Sequence, residues 1–233
     1  MLNNDSWLSS QLHIPCFTFQ GVTFEQYLVD SIQRAIPKQA FITLKLSVGP
    51  GGYALQSKPT VQSILTMNHY VWQPSDFYLQ DYGHQIRVAI ESDVASILEV
   101  GREAFTQSRF HKDSRIGNRV AEEIKLDWLR NNLTRRSNCI NLVYEHDKSR
   151  AIVGFVSLLS SNEGLVIDLI AVDSKFRGLG IGNKLVSKCQ SLAKNSDLIL
   201  RVGTQSENIA NLLYLKSAFC LDKQLLILHD LRP

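Results

Sequence analysis

The stretch Arg177-Gly178-Leu179-Gly180-Ile181-Gly182-Asn183 carries glycines at alternate positions. The apolar run Val166 to Val172 precedes it, and Ile181, Leu185, Val186, Cys189, Leu192 and Ala193 follow at helical spacing. Strand, glycine turn and helix start together make a phosphate-binding geometry. Glycines let the backbone approach closely, and free N–H groups at a helix N-terminus point at the anion. A Walker loop needs GxxxxGK[ST], which is absent. The dinucleotide fingerprint needs GxGxxG, whereas the spacing here is GxGxG and the preceding strand is not the first of its domain. A glycine-rich surface turn is the bland alternative, and the flanking strand and helix weigh against it.

Other residues could do chemistry beside this loop. Thr204-Gln205-Ser206-Glu207 is a Thr-x-x-Glu pattern ahead of an apolar run, a helix N-cap box. Asn208, Asn211 and Tyr214 are spaced to line one stripe of that helix. A polar face turned to water explains the asparagines well and the tyrosine less well. Asp168 interrupts the apolar strand Val166-Ile167-Asp168-Leu169-Ile170, where an acid is costly unless paired or near water. It is either a general base, acting directly or through a water, or a hydrogen-bonded structural acid. The histidines His13, His69, His84, His111, His146 and His229 show no HxxxH spacing and no cysteine joins them, so no metal site is expected. There is no GxSxG elbow.

Positioning these groups requires a regular scaffold. Strands are expected at Ile86 to Ile90, Cys139 to Tyr144, Ile152 to Leu159, Leu165 to Val172, Leu198 to Val202 and Leu225 to Leu228. Helices are expected from Ser92-Asp93 onward, near Val120 to Leu133, after the glycine loop, and from Glu207 to Ser217. Earlier in the chain, Cys16 to Phe19 and Phe41 to Leu46 read as strands, and Phe24 to Ala35 and Val61 to Val71 as helices. Turn-forming residues cluster at Val48 to Gly52, and a softer break follows at Gln80 to His84. The expected organisation is a small α/β domain over residues 1–83 and a larger α/β domain over residues 84–233. No internal repeat is visible.

Composition sets the outer bounds. The chain has 233 residues, 44% hydrophobic and 20% charged, which excludes a disordered acidic chain, a collagen and a coiled coil. Lys plus Arg is 25 against 22 for Asp plus Glu, and basic clusters such as Arg135-Arg136 are short, so nucleic acid is not the expected partner. No charged and apolar leader opens the chain, no apolar stretch is long enough to span a bilayer, and the four cysteines form no CxxC. These features predict a cytoplasmic protein with free thiols and no membrane contact.

Arg177, Gly180 and Gly182 match the [RQ]xxGx[GA] loop of acetyl-CoA-dependent acetyltransferases. With the element order above, and with Val172-Asp173 ending the strand, residues 84–233 resemble a GNAT-superfamily N-acetyltransferase. Ala104 to Phe110, Leu200 to Gln205 and Asn208 to Ser217 resemble, within it, the dTDP-fucosamine acetyltransferases of bacterial surface-polysaccharide synthesis. Those enzymes also carry a small α/β N-terminal domain, whose opening Trp7 and His13-Ile14-Pro15 resemble. The resemblance implies the GNAT α/β fold, a mixed sheet flanked by helices, with a smaller N-terminal α/β domain.

It also implies acetyl-CoA as co-substrate and no metal. The pyrophosphate would rest on the loop Arg177, Gly178, Leu179, Gly180, Ile181, Gly182 and Asn183. The pantetheine would lie along Ile170, Ala171 and Val172, with Asn208 and Asn211 nearby. Family members read NxxAxxxYxxxGF in the last helix. Here Asn208 to Tyr214 is six residues rather than seven, and Ala218-Phe219 replaces Gly-Phe. Counting back from Phe219 puts Tyr214 in the place of the acid that protonates the leaving thiolate, and Glu207 in the place of the asparagine. Counting forward from Asn208 selects Leu215, which has no acid chemistry. An amine would attack the thioester directly, and Asp168 is its candidate base, with the structural reading of that acid still open. Arg109 and His111 would shape the acceptor pocket. The implied acceptor is the amine of a nucleotide-linked, dTDP-type deoxyamino sugar, its diphosphate meeting Arg109, His111, Lys112 and Arg115. A protein N-terminus or small amine as acceptor, and a non-catalytic CoA-binding module, are the alternatives, and a homodimer is left open.

Overall fold

A run as apolar as Leu165 to Val172 needs cover on both faces of a sheet. The computed structural model, which describes residues 2–24, 26–27, 36–48, 59–74 and 85–232, gives it that place. A ten-stranded mixed sheet contains β1 (Leu2–Asn4), β2 (Cys16–Gly21), β3 (Ala40–Ser47), β4 (Val61–Trp72) and β5 (Ile86–Val88). It continues with β6 (Cys139–Glu145), β7 (Ile152–Ser161), β8 (Gly164–Val172), β9 (Leu200–Gln205) and β10 (Cys220–Arg232). The order across the sheet is β1-β2-β3-β10-β4-β9-β8-β7-β6-β5. The α-helices described over their full length are α1 (Ser6–Leu12), α2 (Val94–Ala104), α3 (Arg109–Lys112), α4 (Asn118–Thr134), α5 (Ile181–Asn195) and α6 (Ala210–Lys216).

Amphipathic helices cover the two faces. On α5, Ile181, Leu185, Val186, Cys189 and Ala193 form one buried stripe. It packs with Val156, Leu158, Leu165 and Ile167, and with Tyr214 of α6. Each fully buried Leu or Val contributes roughly 1.5–3 kcal/mol. On the opposite face, Ile97 and Val100 of α2 and Leu129 of α4 pack on Val143, Phe155, Leu169 and Ala171.

Strand β8 changes its facing partway along. Leu165 and Ile167 join the core under α5, yet Leu169 and Ala171 join the core under α2 and α4. The register explains the switch: Leu158 pairs with Ile167 and Ser157 with Leu169, so Asp168 is an extra residue, a β-bulge. One inserted residue exchanges the faces of everything after it.

The first strands and the last interleave. β10 pairs with β3 from Leu225↔Ser47 to Arg232↔Ala40, and with β4 on its other edge. β4 in turn pairs with β9 from Met67↔Gln205 to Trp72↔Leu200. Residues Val61 to Val71, expected as a helix, are therefore a strand, because β9 and β10 take up their backbone hydrogen-bonding groups on both edges. The last helix starts at Ala210 rather than Glu207, and the last strand runs far beyond Leu225 to Leu228 in both directions. Phe24, Gln26 and Tyr27 are helical, while the rest of the helix expected to Ala35 lies outside the described residues. The turn at residues 49–52 and the break at residues 80–84, with the boundary expected there, also lie outside them.

Candidate active site

The glycine loop joins β8 to α5. Gly178 (φ 78°) and Gly180 (φ 77°) both take the left-handed conformation that costs glycine least. A Cβ at either would meet nothing within 4 Å, so the loop borders open space. Gly180 is the N-cap of α5, and Lys184 supplies the first N–H that bonds back, to the Gly180 carbonyl at 3.1 Å. Among the described residues, the N–H groups from Gly178 to Asn183 donate to no protein acceptor. They form a row of free donors at the positive end of a helix, a cradle for an oxyanion. Arg177 is exposed, and its Nε donates to the Val172 carbonyl at 3.0 Å, tying the loop to the end of β8. Leu179 is also exposed, whereas Ile181 is buried under the helix.

Beside this cradle the sheet parts. β8 and β9 run parallel and pair at Leu165↔Leu200, Val166↔Arg201 and Ile167↔Val202, and the pairing stops where the Asp168 bulge begins. Among the described residues, the β9-facing edge of Ile170, Ala171 and Val172 thus has no sheet partner. A bulge increases local twist, which is the physical reason for the separation. A linear amide-bearing chain laid in the gap would meet unpaired backbone donors and acceptors on β8. The Asp168 Oδ2 accepts from Trp128 Nε1 at 2.8 Å and from Asn132 Nδ2 at 2.6 Å, both on α4. These bonds fix the carboxylate on the α2/α4 face, and among the described residues no donor reaches Oδ1.

Tyr214 stands on the other face. It is 2% exposed, with the rings of Tyr70 at 5.9 Å and Phe219 at 5.7 Å. Burial, with Cys189 nearby, pushes its phenol well above the usual range, so the hydroxyl is held protonated. Among the described residues its hydroxyl has no hydrogen-bond partner. The sequence stripe that includes it is divided in the fold. Asn208 is exposed and its Oδ1 accepts the Ala210 N–H at 2.9 Å, in the turn that leads into α6. The Asn211 Oδ1 accepts from Tyr70 Oη at 2.9 Å and Asn68 Nδ2 at 3.0 Å. Its Nδ2 donates to the Gln205 carbonyl at 2.8 Å and the Ser206 carbonyl at 3.1 Å. Asn211 therefore fastens the start of α6 to β4 and to the end of β9, with its amide fully engaged inside the protein.

The expected acceptor residues follow α2. His111 Nδ1 accepts from the Ser108 N–H at 3.3 Å and lies 2.7 Å from the Ser108 Oγ, closing a capping box on α3. Burial lowers its pKa, which leaves a neutral ring. Lys112 pairs with Glu207 at 2.6 Å, and Arg115 holds Asp113 at 2.8 Å while donating to the Thr60 and His229 carbonyls. Those two cations are taken up by protein partners. Arg109 is not: its guanidinium lies over the Phe110 ring at 4.6 Å, and its buried Nε has no partner. Among the described residues no group of three His, Cys, Asp or Glu side chains could hold a metal ion, and no helix is long and apolar enough to cross a membrane.

Sequence reading missed several groups that frame the site. Tyr70 and Asn68 were hidden because β4 read as a helix. Trp128 and Asn132 sit one turn apart on α4, a spacing that marks a shared face, but nothing local shows that Asp168 is what they meet.

Residues 102–219 match the acetyltransferase (GNAT) family. The chain is also 29% identical over 139 residues to the spore coat polysaccharide biosynthesis protein SpsD of Bacillus subtilis (strain 168). That alignment covers 59% of this chain and 47% of SpsD, so the chain spans about half the length of this curated relative. Among solved structures, a functionally unknown conserved protein from Staphylococcus epidermidis ATCC 12228 superposes with a TM-score of 0.62 at 13% identity, covering 94% of this chain and 85% of that one. A GCN5-related N-acetyltransferase from Sphaerobacter thermophilus superposes with a TM-score of 0.59 at 15% identity, covering 94% and 74%. These likenesses concern the fold. Since the family match spans half of the chain and takes in the bulged strand, the glycine loop and the helix of Tyr214, the chain belongs to the GNAT family of N-acetyltransferases, whose members use acetyl-CoA as co-substrate.

Proposed function

We propose that this acetyltransferase transfers an acetyl group from acetyl-CoA to the amine of a nucleotide-linked deoxyamino sugar. The observation that carries the CoA part is the row of free N–H donors from Gly178 to Asn183 beside the parted edge of β8. The residues fit the group: the glycines leave room, the helix end favours the pyrophosphate, and the unpaired edge of Ile170 to Val172 suits a pantetheine arm. Bound acetyl-CoA supplies an activated thioester carbonyl.

The chain's own groups then act from two sides of one gap. Asp168 is held on the α2/α4 face by Trp128 and Asn132, with Oδ1 free to take a proton from the incoming ammonium, directly or through a water. The amine needs its lone pair to attack, so a base must act first. Tyr214 lies on the α5/α6 face and keeps its proton until a thiolate leaves. Arg177 and Asn211 hold the ends of β8 and β9 in place. Positioning contributes much of such a rate, and acid–base assistance a further factor on the order of 10²–10⁴.

The sugar part of the reading is supported by SpsD, a protein of spore coat polysaccharide biosynthesis, and by the stretch Ala104 to Phe110. The test is a competition among dTDP-amino sugars, UDP-amino sugars, free amino sugars and N-terminal peptides, each with acetyl-CoA. A dTDP-amino sugar is expected to give the highest kcat/KM. Preference for a peptide or polyamine would refute the sugar assignment and leave acetyl transfer standing.

A further inference from the structure

A cavity of about 150 Å³ lies on the α4 face, lined by Asp5, Trp7, Thr18, Lys45, Arg109, Trp128, Asn131 and Arg136. Its walls come from α1, β2, β3, α3, α4 and the segment after α4. Two features set it apart. Lys45, Arg109 and Arg136 face a single lining carboxylate, and among the described residues none of the three has an ion-pair partner. Asp5 is committed elsewhere: its Oδ1 accepts the Leu8 N–H at 3.0 Å as the N-cap of α1, and its Oδ2 accepts weakly from Thr18 at 3.5 Å. The second feature is a pair of orphaned donors. Trp7 Nε1 and Arg109 Nε are both buried and bond to nothing. A buried donor without an acceptor is unfavourable by about 1–3 kcal/mol, and a lining that offers mainly N–H groups calls for a ligand that is all acceptor.

The cations also crowd one another. Lys125, packed over Trp128 at 4.6 Å and Phe105 at 4.9 Å, adds a fourth positive charge behind the indole. Burial lowers Arg109 to about 10 and Lys125 to about 8, and Arg109 depresses both Lys45 and Lys125. A carboxylate would neutralise one of these charges. A diphosphate carries at least two and presents oxygens on several sides, which matches three lining cations and two neutral donors.

We propose that this cavity is the diphosphate subsite of the acceptor, built by Lys45, Arg109, Arg136 and Trp7. The assignment to the acceptor rests on the acetyl-transfer reading; the oxyanion site does not. Trp128 links the two places, since its ring lines the cavity while its Nε1 donates to Asp168 at 2.8 Å. A ligand whose diphosphate fills the cavity extends its sugar past one indole to reach the Asp168 bulge. The cations first expected for this role, Lys112 and Arg115, are replaced by Lys45 from β3 and Arg136.

The test is calorimetric titration of the full chain with pyrophosphate, inorganic phosphate, dTDP and thymidine, with CoA at saturation so that the glycine loop is filled. Lys45→Gln and Arg136→Gln are the site variants, chosen because Arg109 is too deeply packed to replace safely. Lys148→Gln, in the exposed β6–β7 turn, removes the same charge elsewhere. Pyrophosphate and dTDP are expected to bind, thymidine not, and both site variants to weaken them at least tenfold with CoA affinity unchanged. Unchanged pyrophosphate affinity in both folded site variants overturns the proposal, as does an equal loss in Lys148→Gln. Phosphate binding as tightly as dTDP would mark a free-anion site and overturn the diphosphate assignment. If CoA itself does not bind, the acetyl-transfer reading fails, and the loss of pyrophosphate affinity in Lys45→Gln and Arg136→Gln relative to Lys148→Gln still reads the cavity.

Discussion

Gly180→Asp probes the anion cradle at its centre. The residue has φ 77° and ψ 3°, and a Cβ there meets nothing within 4 Å, so the new side chain enters open space without a clash. Asp tolerates the left-handed region better than most residues, and the conformational penalty is about 1–2 kcal/mol at most. The charge matters more. A carboxylate about 5 Å from one phosphate charge repels it by roughly 0.8 kcal/mol in bulk water and roughly 3 kcal/mol at an effective dielectric constant of 20. A pyrophosphate carries more than one charge, so the expected loss is at least about 1.4 kcal/mol, a tenfold rise in Kd. Calorimetry with CoA at low and high salt measures it, and added salt is expected to recover part of the loss. Gly180→Ala shares the backbone demand without the charge and is expected to bind within about threefold of the parent, well under 1 kcal/mol. Unchanged affinity in Gly180→Asp would show that the pyrophosphate sits elsewhere. Equal losses in the two variants would show that backbone strain, not charge, accounts for the effect.

Tyr214→Phe removes one hydroxyl from a packed ring, so kcat is expected to fall by roughly 10²-fold or more with little change in CoA binding. Near-normal turnover in a steady-state assay would make the ring a packing element only. A separate prediction concerns acid stability. His229 is buried between Phe41 and Phe110, and burial lowers its pKa to about 4 even though Asp113 opposes the shift, while Arg109 and Arg115 reinforce it. Its folded pKa lies below the unfolded value of about 6.5, so the unfolded chain takes up a proton that the folded one does not between those limits. Stability is expected to fall as pH drops through that window, by on the order of 3 kcal/mol. In His229→Gln the denaturation free energy should lose about 1.4 kcal/mol per pH unit of that slope. An unchanged slope would place the acid sensitivity in another group.

The parts of the site that one short segment encodes were legible in the sequence. The loop from Arg177 to Asn183 declares itself because its glycines, the strand before it and the helix after it are contiguous. Asp168 stood out as an acid among apolar neighbours, but the bulge that puts Leu169 on the same face as Asp168 depends on β7 and has no local signature. β4 misled because Val61, Ile64 and Leu65 fall at helical spacing, while its buried alternation, Asn68, Tyr70 and Trp72, begins with a polar residue. Losing that strand also hid Tyr70 and Asn68, which complete the Asn211 amide. The cavity was illegible for a related reason. Lys45 and Arg109 become neighbours only through the sheet order, and no spacing rule connects residues so far apart in the chain.

The placement of β10 has a consequence for how this enzyme is made. β3 and β4 flank it, with Ala40 paired to Arg232 on one side and Val61 to Asp230 on the other. A nascent chain must synthesise everything from Trp72 to Cys220 before the strand that joins them begins to emerge, an interval of roughly 7–30 s at ordinary rates of synthesis. Throughout it, two apolar strands wait with unpaired edges, each a template for pairing with a foreign chain. High contact order of this kind makes folding slow. Ile227 and Leu228 are buried in the middle of β10, separated from β8 by β4 and β9. Substitutions there would act on the yield of folded enzyme, and would lower activity in a cell while leaving the turnover of each surviving molecule unchanged.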